Sequence, residues 1–341
     1  MTPFVSVLVA AYRTNPQHLK ACIDSILNQT YTNFELLVLD DCPQDKAVEQ
    51  LIQSYSDKRI FYRRHKKNLG IAQTRTELMR WAKGKYLAVM DHDDLMMPSR
   101  LEKQVAYMEA HPHVGICGTA YRRFGDFKKQ GIVRHPIESD EIKSGLFFKC
   151  TMHHPSVLIR SEIIKKHKIK YSDEYISAND VRLYLDIMPY AELHNLPEVL
   201  MLYRVHPNMT SKQSRVKILT EQQKLRLEVL NSMKVHLSEQ EMEILNNFVV
   251  KGRCRIKDFD TLTQVERVLV ALNQANLKSN YFPKTAFSKM CANYLIKRCK
   301  NALFYGHVSS LRLLQRTSLP VDKIKIPLLV KVFNFLLPKG K

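Results

Sequence analysis

The chain has 341 residues, of which 45% are hydrophobic and 25% are charged, and its formal net charge is +20. This composition excludes a disordered protein, and the length indicates about two domains. The charge is concentrated, because residues 251–341 contain 18 Lys and Arg against 4 Asp and Glu, a net of +14. Such an asymmetry predicts an anionic partner surface, and phospholipid, nucleic acid and phosphorylated glycolipid all fit it.

The cysteines and the apolar runs indicate the cellular compartment. The seven cysteines form no C-x-x-C pair and none lies near a histidine at zinc spacing, so reduced cysteines are expected. No signal-peptide pattern is visible, and no apolar run approaches the ~20 residues of a membrane-spanning helix. We therefore expect a cytoplasmic protein.

Apolar runs of strand length alternate with helical patterns over the first 117 residues. In chain order the sequence predicts strand 4–10, a helix around 19–27, strand 34–39, helix 47–55, strand 60–62, helix 70–83, strand 86–90, helix 98–110 and strand 114–117. Strands separated by helices imply an α/β fold with a parallel sheet and right-handed crossovers. Residues 118–211 are less regular, and we expect loops there that cover the carboxyl edge of the sheet.

From about residue 216 the pattern becomes helical and basic, and on the helix around 287–300 we expect an apolar stripe with Lys289, Lys297, Arg298 and Lys300 on the other, outer surface. The sequence thus predicts an α/β domain over residues 1–212 and a basic α-helical region over 213–341. Residues 326–337 are apolar, but a helix of that length reaches only ~18 Å against a ~30 Å hydrocarbon core. One interpretation is a peripheral anchor on an anionic membrane. The other is packing of the apolar helix faces on the protein itself or in a homo-oligomer.

Asp91-His92-Asp93-Asp94 directly follows the buried run 86–90. Acidic residues at a strand end lie at the edge where open α/β sheets bind ligands. Two such carboxylates can share a divalent cation, and a cation held by few protein oxygens usually also holds phosphate. The alternative interpretation is a solvated acidic turn or an N-cap of the next helix.

Further motifs occur in an order typical of a known family. They are VSVLVAAY at 5–12, LDDCPQD at 39–45, NLG at 68–70, AKGKY at 82–86, MDHDD at 90–94, HPSVLIR at 154–160, ND at 179–180 and YRVH at 203–206. Over residues 3–210 the chain resembles family 2 glycosyltransferases of the GT-A fold, including bacterial lipopolysaccharide and capsule enzymes. The resemblance implies a Rossmann-like, mostly parallel sheet flanked by helices, here followed by the basic α-helical region.

The resemblance also implies a UDP-sugar site at the carboxyl ends of the strands. It places Asp41 against the uracil N–H, Tyr12 against the base, and Asp93 on a Mn²⁺ or Mg²⁺ ion that neutralises the leaving diphosphate. Through the YRVH motif at 203–206, the resemblance also implies His206 as a second ligand of this metal ion. The remaining donor contacts that it implies are Ala10, Asp91, Asp94 and Arg204, whose guanidinium suits phosphate.

Asp180 matches the family's catalytic base, which takes the proton of the acceptor hydroxyl in an inverting transfer. Asn179 stands where the family usually has an acid. A helix N-cap is the other interpretation of Asp180. His154 matches the acceptor side, in a contact or structural role.

The resemblance thus implies an inverting, metal-dependent transfer of one sugar to a glycan or lipid-linked saccharide, on the inner face of the cytoplasmic membrane. A metal-dependent nucleotidyltransferase, which shares acidic strand ends, is an enzyme alternative. A nucleic-acid-binding protein fits the charge, yet the basic residues form no known motif and aromatic residues are not interleaved among them. We therefore expect no nucleic-acid partner. The sequence also lacks the glycine motifs of P-loops and of Rossmann dinucleotide sites, which argues against a P-loop nucleotide site and against a Rossmann dinucleotide cofactor.

Overall fold

The computed structural model describes residues 4–125, 131–206, 215–250, 256, 258–304 and 309–321. The chain divides into two compact units. The first comprises residues 1–142 and 150–222, and the second comprises residues 143–149 and 223–341. The domain boundary predicted at residue 212 and the apolar stretch 326–337 lie outside the described residues.

The first unit is built on one sheet. Its strands are β1 Val5–Ala11, β2 Phe34–Asp40, β3 Ile60–Arg64, β4 Tyr86–Asp91, β5 Leu95–Met96, β6 Val114–Gly125, β7 Ile132–Val133, β8 Leu158–Arg160 and β9 Glu192–Val205. They lie in the order β3-β2-β1-β4-β8-β6-β9-β5, with β7 paired to β6. The long pairings, β1 with β2 and β4, β2 with β3, and β6 with β9, are parallel. The antiparallel pairings each join only two or three residue pairs.

Helices connect and cover these strands. The described helices are α1 Pro16–Leu27, α2 Ala47–Gln53, α3 Ile71–Trp81, α4 Arg100–Ala110, α5 Ser139–Gly145, α6 Ser161–Lys166, α7 Asn179–Ile187, α8 Arg215–Ser232, α9 Glu239–Ile244, α10 Phe259–Ser279, α11 Lys284–Phe304 and α12 Ser309–Arg316. Helices α5 and α8 each begin in the first unit and end in the second. The prediction of an α/β fold with a mostly parallel sheet and a helical C-terminal region is confirmed.

The central strands carry continuous apolar runs because both of their faces are covered. Every residue of β2 is buried, as are five of the six residues of β4. In the register of the sheet, Ala11 lies opposite Asp40 and Ala10 opposite Asp91. The acidic ends of β2 and β4 therefore meet beside the end of β1, at one edge of the sheet.

Two glycines permit close or unusual backbone at this sheet. Gly70, at the start of α3, has a φ of 85°, a conformation that favours glycine. Gly84 does not adopt a positive φ, so its backbone conformation does not require glycine. Glycine is needed there because β1 approaches closely, and a Cβ would lie 2.5 Å from the backbone nitrogen of Ser6.

The region 118–211, expected to be loops, contains more of the sheet than the sequence indicated. Strand β6 continues to Gly125, and β9 pairs along it. The register skips Pro197 and Glu198, since Thr119 lies opposite Leu196 whereas Ala120 lies opposite Val199. Proline is tolerated in a strand at such a bulge, and it concealed the strand from pattern reading.

The second unit buries the apolar face of α11. Phe287, Cys291, Leu295 and Cys299 have no exposed surface. Phe287 also contacts Phe147, Phe148 and Phe282 through ring contacts. These contacts favour packing on the protein over membrane insertion for this face.

Arg298 corrects the sequence interpretation, which placed it on the outer surface of this helix. It is only 1% exposed. No helix among the described residues is long and apolar enough to cross a membrane.

Candidate functional site

Asp41, at the end of β2, organises the loop that leads into α3. Its buried carboxylate accepts hydrogen bonds from the backbone N–H groups of Leu69 and Gly70, both at 2.8 Å. It also accepts one from Asn68 Nδ2 at 2.8 Å and lies 2.7 Å from His65 Nδ1. Two carboxylate oxygens have about four acceptor sites, so these partners occupy them all. A uracil N–H would have to replace one of them, and the predicted base contact of Asp41 stays a prediction.

His65 was missed by sequence reasoning, because nothing local distinguishes it. Its Nδ1 contacts Asp41 Oδ1, and its Nε2 lies 2.9 Å from Glu77 Oε2 on α3. Burial alone would lower the pKa of His65, but the hydrogen bonds to the two carboxylates outweigh it, and its pKa lies above the ordinary value. The His65 imidazole thus links the end of β2 to α3 through both of its ring nitrogens.

Arg75 on α3 was also missed, and it joins two of the predicted motifs. Its Nη2 donates to Asp91 Oδ1 at 2.8 Å, and its Nη1 donates to Asn179 Oδ1 at 3.3 Å. Burial lowers the pKa of Arg75, but the charge of Asp91 and the nearby Tyr171 and Asp180 raise it overall. One guanidinium therefore connects the acidic motif after β4 to the segment that carries Asp180.

Asp93 and His206 form a close pair at the same edge of the sheet. Asp93 Oδ2 lies 2.9 Å from His206 Nε2, and Arg204 Nε donates to the backbone oxygen of Asp93 at 2.7 Å. The His18 ring is centred 5.7 Å from that of His206. Burial, followed by the charges of Arg204 and His206, lowers the pKa of His18. His18 was not identified from the sequence.

Asp94, the residue after Asp93, is fully buried. Its Oδ1 accepts the backbone N–H of Arg204 at 2.8 Å, and its Oδ2 has no hydrogen-bond partner among the described residues. Burial, followed by the charges of Asp93 and Asp91, raises the pKa of Asp94 well above its ordinary value. The site therefore concentrates negative charge that a cation would relieve.

The separation of the Asp93 carboxylate and the His206 imidazole fits two ligands of one divalent cation. Two ligands at right angles on an octahedral ion, each about 2.1 Å from it, lie about 3 Å apart, which matches the separation of Asp93 Oδ2 and His206 Nε2. No group of three or more His, Cys, Asp or Glu side chains in the described ranges could hold a metal ion. In general, a cation held by one or two protein ligands also binds phosphate oxygens or water.

Asp180 is the second residue of α7, and it lies within a partly buried polar cluster. Its Oδ1 accepts the N–H of Val181 at 2.7 Å, and its Oδ2 lies 3.5 Å from Cys150 Sγ. Burial raises the pKa of Asp180, against the opposing effects of the Val181 N–H and the charge of Arg75. A carboxylate with a raised pKa is a stronger base than an exposed one.

His154 lies in the core rather than on an open surface. Its Nδ1 is 2.9 Å from the Tyr184 hydroxyl, and its Nε2 is 3.1 Å from that of Tyr171. Burial lowers the pKa of His154 well below its ordinary value, so the ring is neutral. Both ring nitrogens are engaged, which fits the structural role better than an acceptor contact.

The other predicted donor residues surround the acidic edge. Ala10 pairs with Asp91 in the sheet, and Tyr12 beyond it is 42% exposed, with the Arg13 guanidinium 5.3 Å from its ring centre. The Arg204 guanidinium lies 4.4 Å from the Phe124 ring centre. The fold thus gathers Ala10, Asp91, Asp93, Asp94, Arg204 and His206 at one edge.

Sequence comparison decides the family. The family model described as Glycosyl transferase family 2 matches residues 6–168. An uncharacterized glycosyltransferase of Haemophilus influenzae is 33% identical over 225 residues, covering 61% of this chain and 68% of the relative. The chain belongs to glycosyltransferase family 2. This family 2 enzyme is also 32% identical over 222 residues to the O-antigen biosynthesis glycosyltransferase WbnJ of Escherichia coli, covering 62% of this chain and 83% of the relative.

Solved structures agree on the fold of this glycosyltransferase. S. aureus TarS 1-349 in complex with UDP-GlcNAc aligns with a TM-score of 0.59 at 16% identity, covering 94% of this chain and 95% of TarS. The mannosyltransferase PcManGT of Pyrobaculum calidifontis, in complex with GDP-Man and Mn²⁺, aligns with a TM-score of 0.52 at 17% identity, covering 87% of this chain and 86% of PcManGT. At these identities the likeness shows the shared fold alone.

Proposed function

We propose that this family 2 glycosyltransferase transfers one sugar, with inversion, from a UDP-sugar to a glycan or lipid-linked saccharide of the cell surface. The observation that carries the proposal is the Arg75 bridge, which contacts Asp91 on one side and Asn179 on the other. Because Arg75 ties the acidic edge to the start of α7, a donor bound at that edge would lie beside Asp180.

Asp93 and His206 would hold Mn²⁺ or Mg²⁺ at the donor diphosphate. When bound there, the cation supplies neutralisation of the charge that develops on the departing diphosphate. Arg204 lies beside the same pair, where its guanidinium can bind phosphate oxygens. Mn²⁺ in the similar PcManGT structure supports a divalent ion, and the unpartnered Asp94 oxygen supports a demand for positive charge.

Asp180 is the proposed general base. The acceptor hydroxyl oxygen forms a bond to the anomeric carbon while the bond from that carbon to the diphosphate oxygen breaks, and the diphosphate leaves with the electron pair. The Asp180 carboxylate takes the hydroxyl proton. Its raised pKa supports this role, since burial makes the carboxylate more basic.

The donor and acceptor classes rest on similar proteins. TarS was solved with UDP-GlcNAc and PcManGT with GDP-Man, so both uridine and guanosine nucleotides belong in the test. WbnJ acts in O-antigen biosynthesis, which supports a lipopolysaccharide-type acceptor.

An anionic membrane surface is the proposed site of action. On α11 the exposed residues Lys289, Lys297 and Lys300 share one helix face, opposite the buried apolar face. Each basic residue near an anionic lipid surface contributes about 1 kcal/mol of attraction. This lysine face would hold the enzyme at the inner face of the cytoplasmic membrane by charge.

The donor site is tested by calorimetric titration with UDP, GDP, CDP and ADP, each with and without Mn²⁺. We expect selective binding of UDP that Mn²⁺ strengthens and that Asp93→Ala loses. The exposed Asp173→Ala is the matched control and keeps the binding. If no nucleoside diphosphate binds in any condition, the proposed donor site is wrong.

Turnover separates the enzyme alternatives. Release of UDP from a UDP-sugar, dependent on added saccharide acceptor, supports the transferase. Release of pyrophosphate from a nucleoside triphosphate would instead support the nucleotidyltransferase.

Membrane binding is tested with vesicles of zwitterionic lipid, with and without anionic phosphatidylglycerol. The triple variant Lys289→Gln, Lys297→Gln, Lys300→Gln should bind anionic vesicles about 100-fold more weakly, since three lysines contribute about 3 kcal/mol. A matched triple substitution at Lys165, Lys166 and Lys168 should not. Release from vesicles by duplex DNA at equal charge would favour a nucleic-acid partner instead.

A further inference from the structure

Helix α7, which carries Asp180, has no side chain of its own that caps its N-terminus. Ala178 occupies the N-cap position, and its methyl group cannot accept a hydrogen bond. Asp180 Oδ1 accepts a hydrogen bond from the adjacent Val181 N–H at 2.7 Å. The backbone before α7 therefore depends on another part of the chain for its position.

Glu221, on α8, provides that contact. Its Oε2 accepts the backbone N–H of Ser177 at 2.6 Å and that of Ala178 at 3.0 Å. Glu221 and Ala178 are buried. Hydrogen bonds to an ionised acceptor are shorter and stronger than neutral ones, and a negative charge at a helix N-terminus is favourable.

A second contact holds the same segment from α3. The Asn179 side-chain oxygen accepts from Arg75 Nη1 at 3.3 Å. Glu221 thus holds the main chain at 177–178 while Arg75 holds the side chain of the next residue. Asp180 follows directly, and both contacts constrain the direction in which its carboxylate points.

We propose that Glu221 is a positioning residue, which fixes residues 177–178 so that Asp180 faces the acceptor hydroxyl. The proposal rests on the proposed role of Asp180 as base. Glu221 lies beyond residues 6–168, which match the family model, and beyond the motifs that carry the resemblance. It acts through the backbone and does not touch the donor, so its loss affects turnover and not donor binding.

Two substitutions separate the role of Glu221 as a hydrogen-bond acceptor from the effect of its side-chain volume. Glu221→Ala leaves the partly buried N–H of Ser177 and the buried N–H of Ala178 without this acceptor, whereas Glu221→Gln retains a carbonyl oxygen at the same place. Because a displacement of about 1 Å at a reacting group can cost about 100-fold in rate, we expect Glu221→Ala to lower kcat 10- to 100-fold. KM for the donor stays within twofold, and Glu221→Gln restores much of kcat. The exposed Glu162→Ala on α6 is the matched control.

Hydrogen exchange of the full-length protein provides a readout that does not depend on activity. The amides of Ser177 and Ala178 should exchange at least tenfold faster in Glu221→Ala than in wild type. In Glu221→Gln and Glu162→Ala they should remain protected. UDP binding and the exchange of β1, β2 and β4 should be unchanged in all three variants.

Each outcome bears on the inference. Unchanged exchange at 177–178 in Glu221→Ala overturns the contact, and faster exchange with undiminished kcat overturns the positioning role. If Glu221→Ala loses protection throughout the protein, the variant is unfolded and Glu221→Gln is the test instead. Glu221→Gln should then keep the fold and at least a tenth of the wild-type kcat, and a larger loss of kcat overturns the positioning role. Wild type without transferase activity on any donor would refute the proposed function, while the exchange result still judges the contact.

Discussion

Asp93 and His206 are 113 positions apart in the sequence, yet their side chains lie 2.9 Å apart. The short strand β5, which follows Asp94 directly, explains this proximity. Leu95 pairs with Leu202 and Met96 with Met201, so β5 aligns the end of β9 with the acidic motif. The proposed metal site is therefore assembled by an antiparallel pairing of only two residues on each strand.

Replacing His206 by alanine should remove most of the effect of Mn²⁺ on UDP binding. The imidazole is one of only two protein ligands proposed for the cation, so we expect the Mn²⁺-dependent gain in affinity to fall at least tenfold. UDP affinity without metal should change little. Calorimetric titration measures both, with the exposed His113→Ala as control. Equal Mn²⁺ dependence in both variants would exclude His206 as a ligand.

Replacing Arg75 by lysine should impair turnover and stability together. Lysine keeps the charge, but a single ammonium cannot reach Asp91 and Asn179 in the geometry of the guanidinium. We expect the free energy of unfolding in urea to fall by about 2 kcal/mol, between the values for exposed and buried pairs. We also expect kcat to fall at least tenfold.

Arg182→Lys is the matched control for Arg75, because Arg182 pairs with Asp186 of the same helix and both side chains are partly exposed. It should change the free energy of unfolding by no more than about 0.5 kcal/mol. If Arg75→Lys behaves like this control in both measurements, the bridge has no role in catalysis.

His65 should make the stability of the protein depend on pH. Its pKa is higher in the folded protein than the ordinary value of 6.5. The stabilisation by protonated His65 is therefore complete below pH 6.5 and is lost as the pH rises through the folded pKa. We expect His65→Gln to cost about 1 to 2 kcal/mol at pH 6 and less at pH 8.5.

Urea unfolding of wild type and His65→Gln across this pH range measures the difference. His113→Gln is the control, since its pair with Glu192 is more than half exposed. A cost of His65→Gln that grows with pH would contradict the raised pKa.

Arg100 should tolerate methionine better than lysine. It is fully buried on α4 and donates to the backbone oxygens of Pro155 at 2.8 Å and Val89 at 3.1 Å. Burial lowers its pKa to about 10. Arg100→Lys retains a buried charge with fewer hydrogen bonds, so we expect it to lower the free energy of unfolding by about 3 to 5 kcal/mol.

Arg100→Met removes the charge and leaves carbonyl groups without this donor, so we expect it to lower the free energy of unfolding by about 1 to 3 kcal/mol. Urea unfolding of the two variants gives the order. The opposite order would mean that the hydrogen bonds of Arg100, and not its buried charge, dominate its effect on stability.

Apart from the two-residue strand β5, the elements of the first 117 residues could be predicted, because the central strands are buried on both faces and the helices have one apolar face. The grouping of the acidic strand ends followed from the parallel sheet alone. Strand β9 could not be predicted, since Pro197 and polar residues interrupt its pattern and only pairing with β6 reveals it.

The missed site residues have a different cause. Arg75 and Glu221 occupy ordinary helical positions, His65 directly follows β3, and the partners of all three come from distant segments. Arg298 was placed on the surface because a charged residue in a basic helix is usually solvated, yet tertiary packing buries it. Pattern reading detects the period of an element but not the identity of its neighbour.

The skipped residues of β9 make strand length a determinant of the site. Pro197 and Glu198 lie upstream of Arg204 and His206, and side chains along a strand alternate between its faces. Loss of one residue there would turn both site residues to the opposite face, whereas loss of both would preserve their orientation. Natural insertions and deletions in this stretch should therefore be accepted in pairs, and those of odd length should inactivate the enzyme.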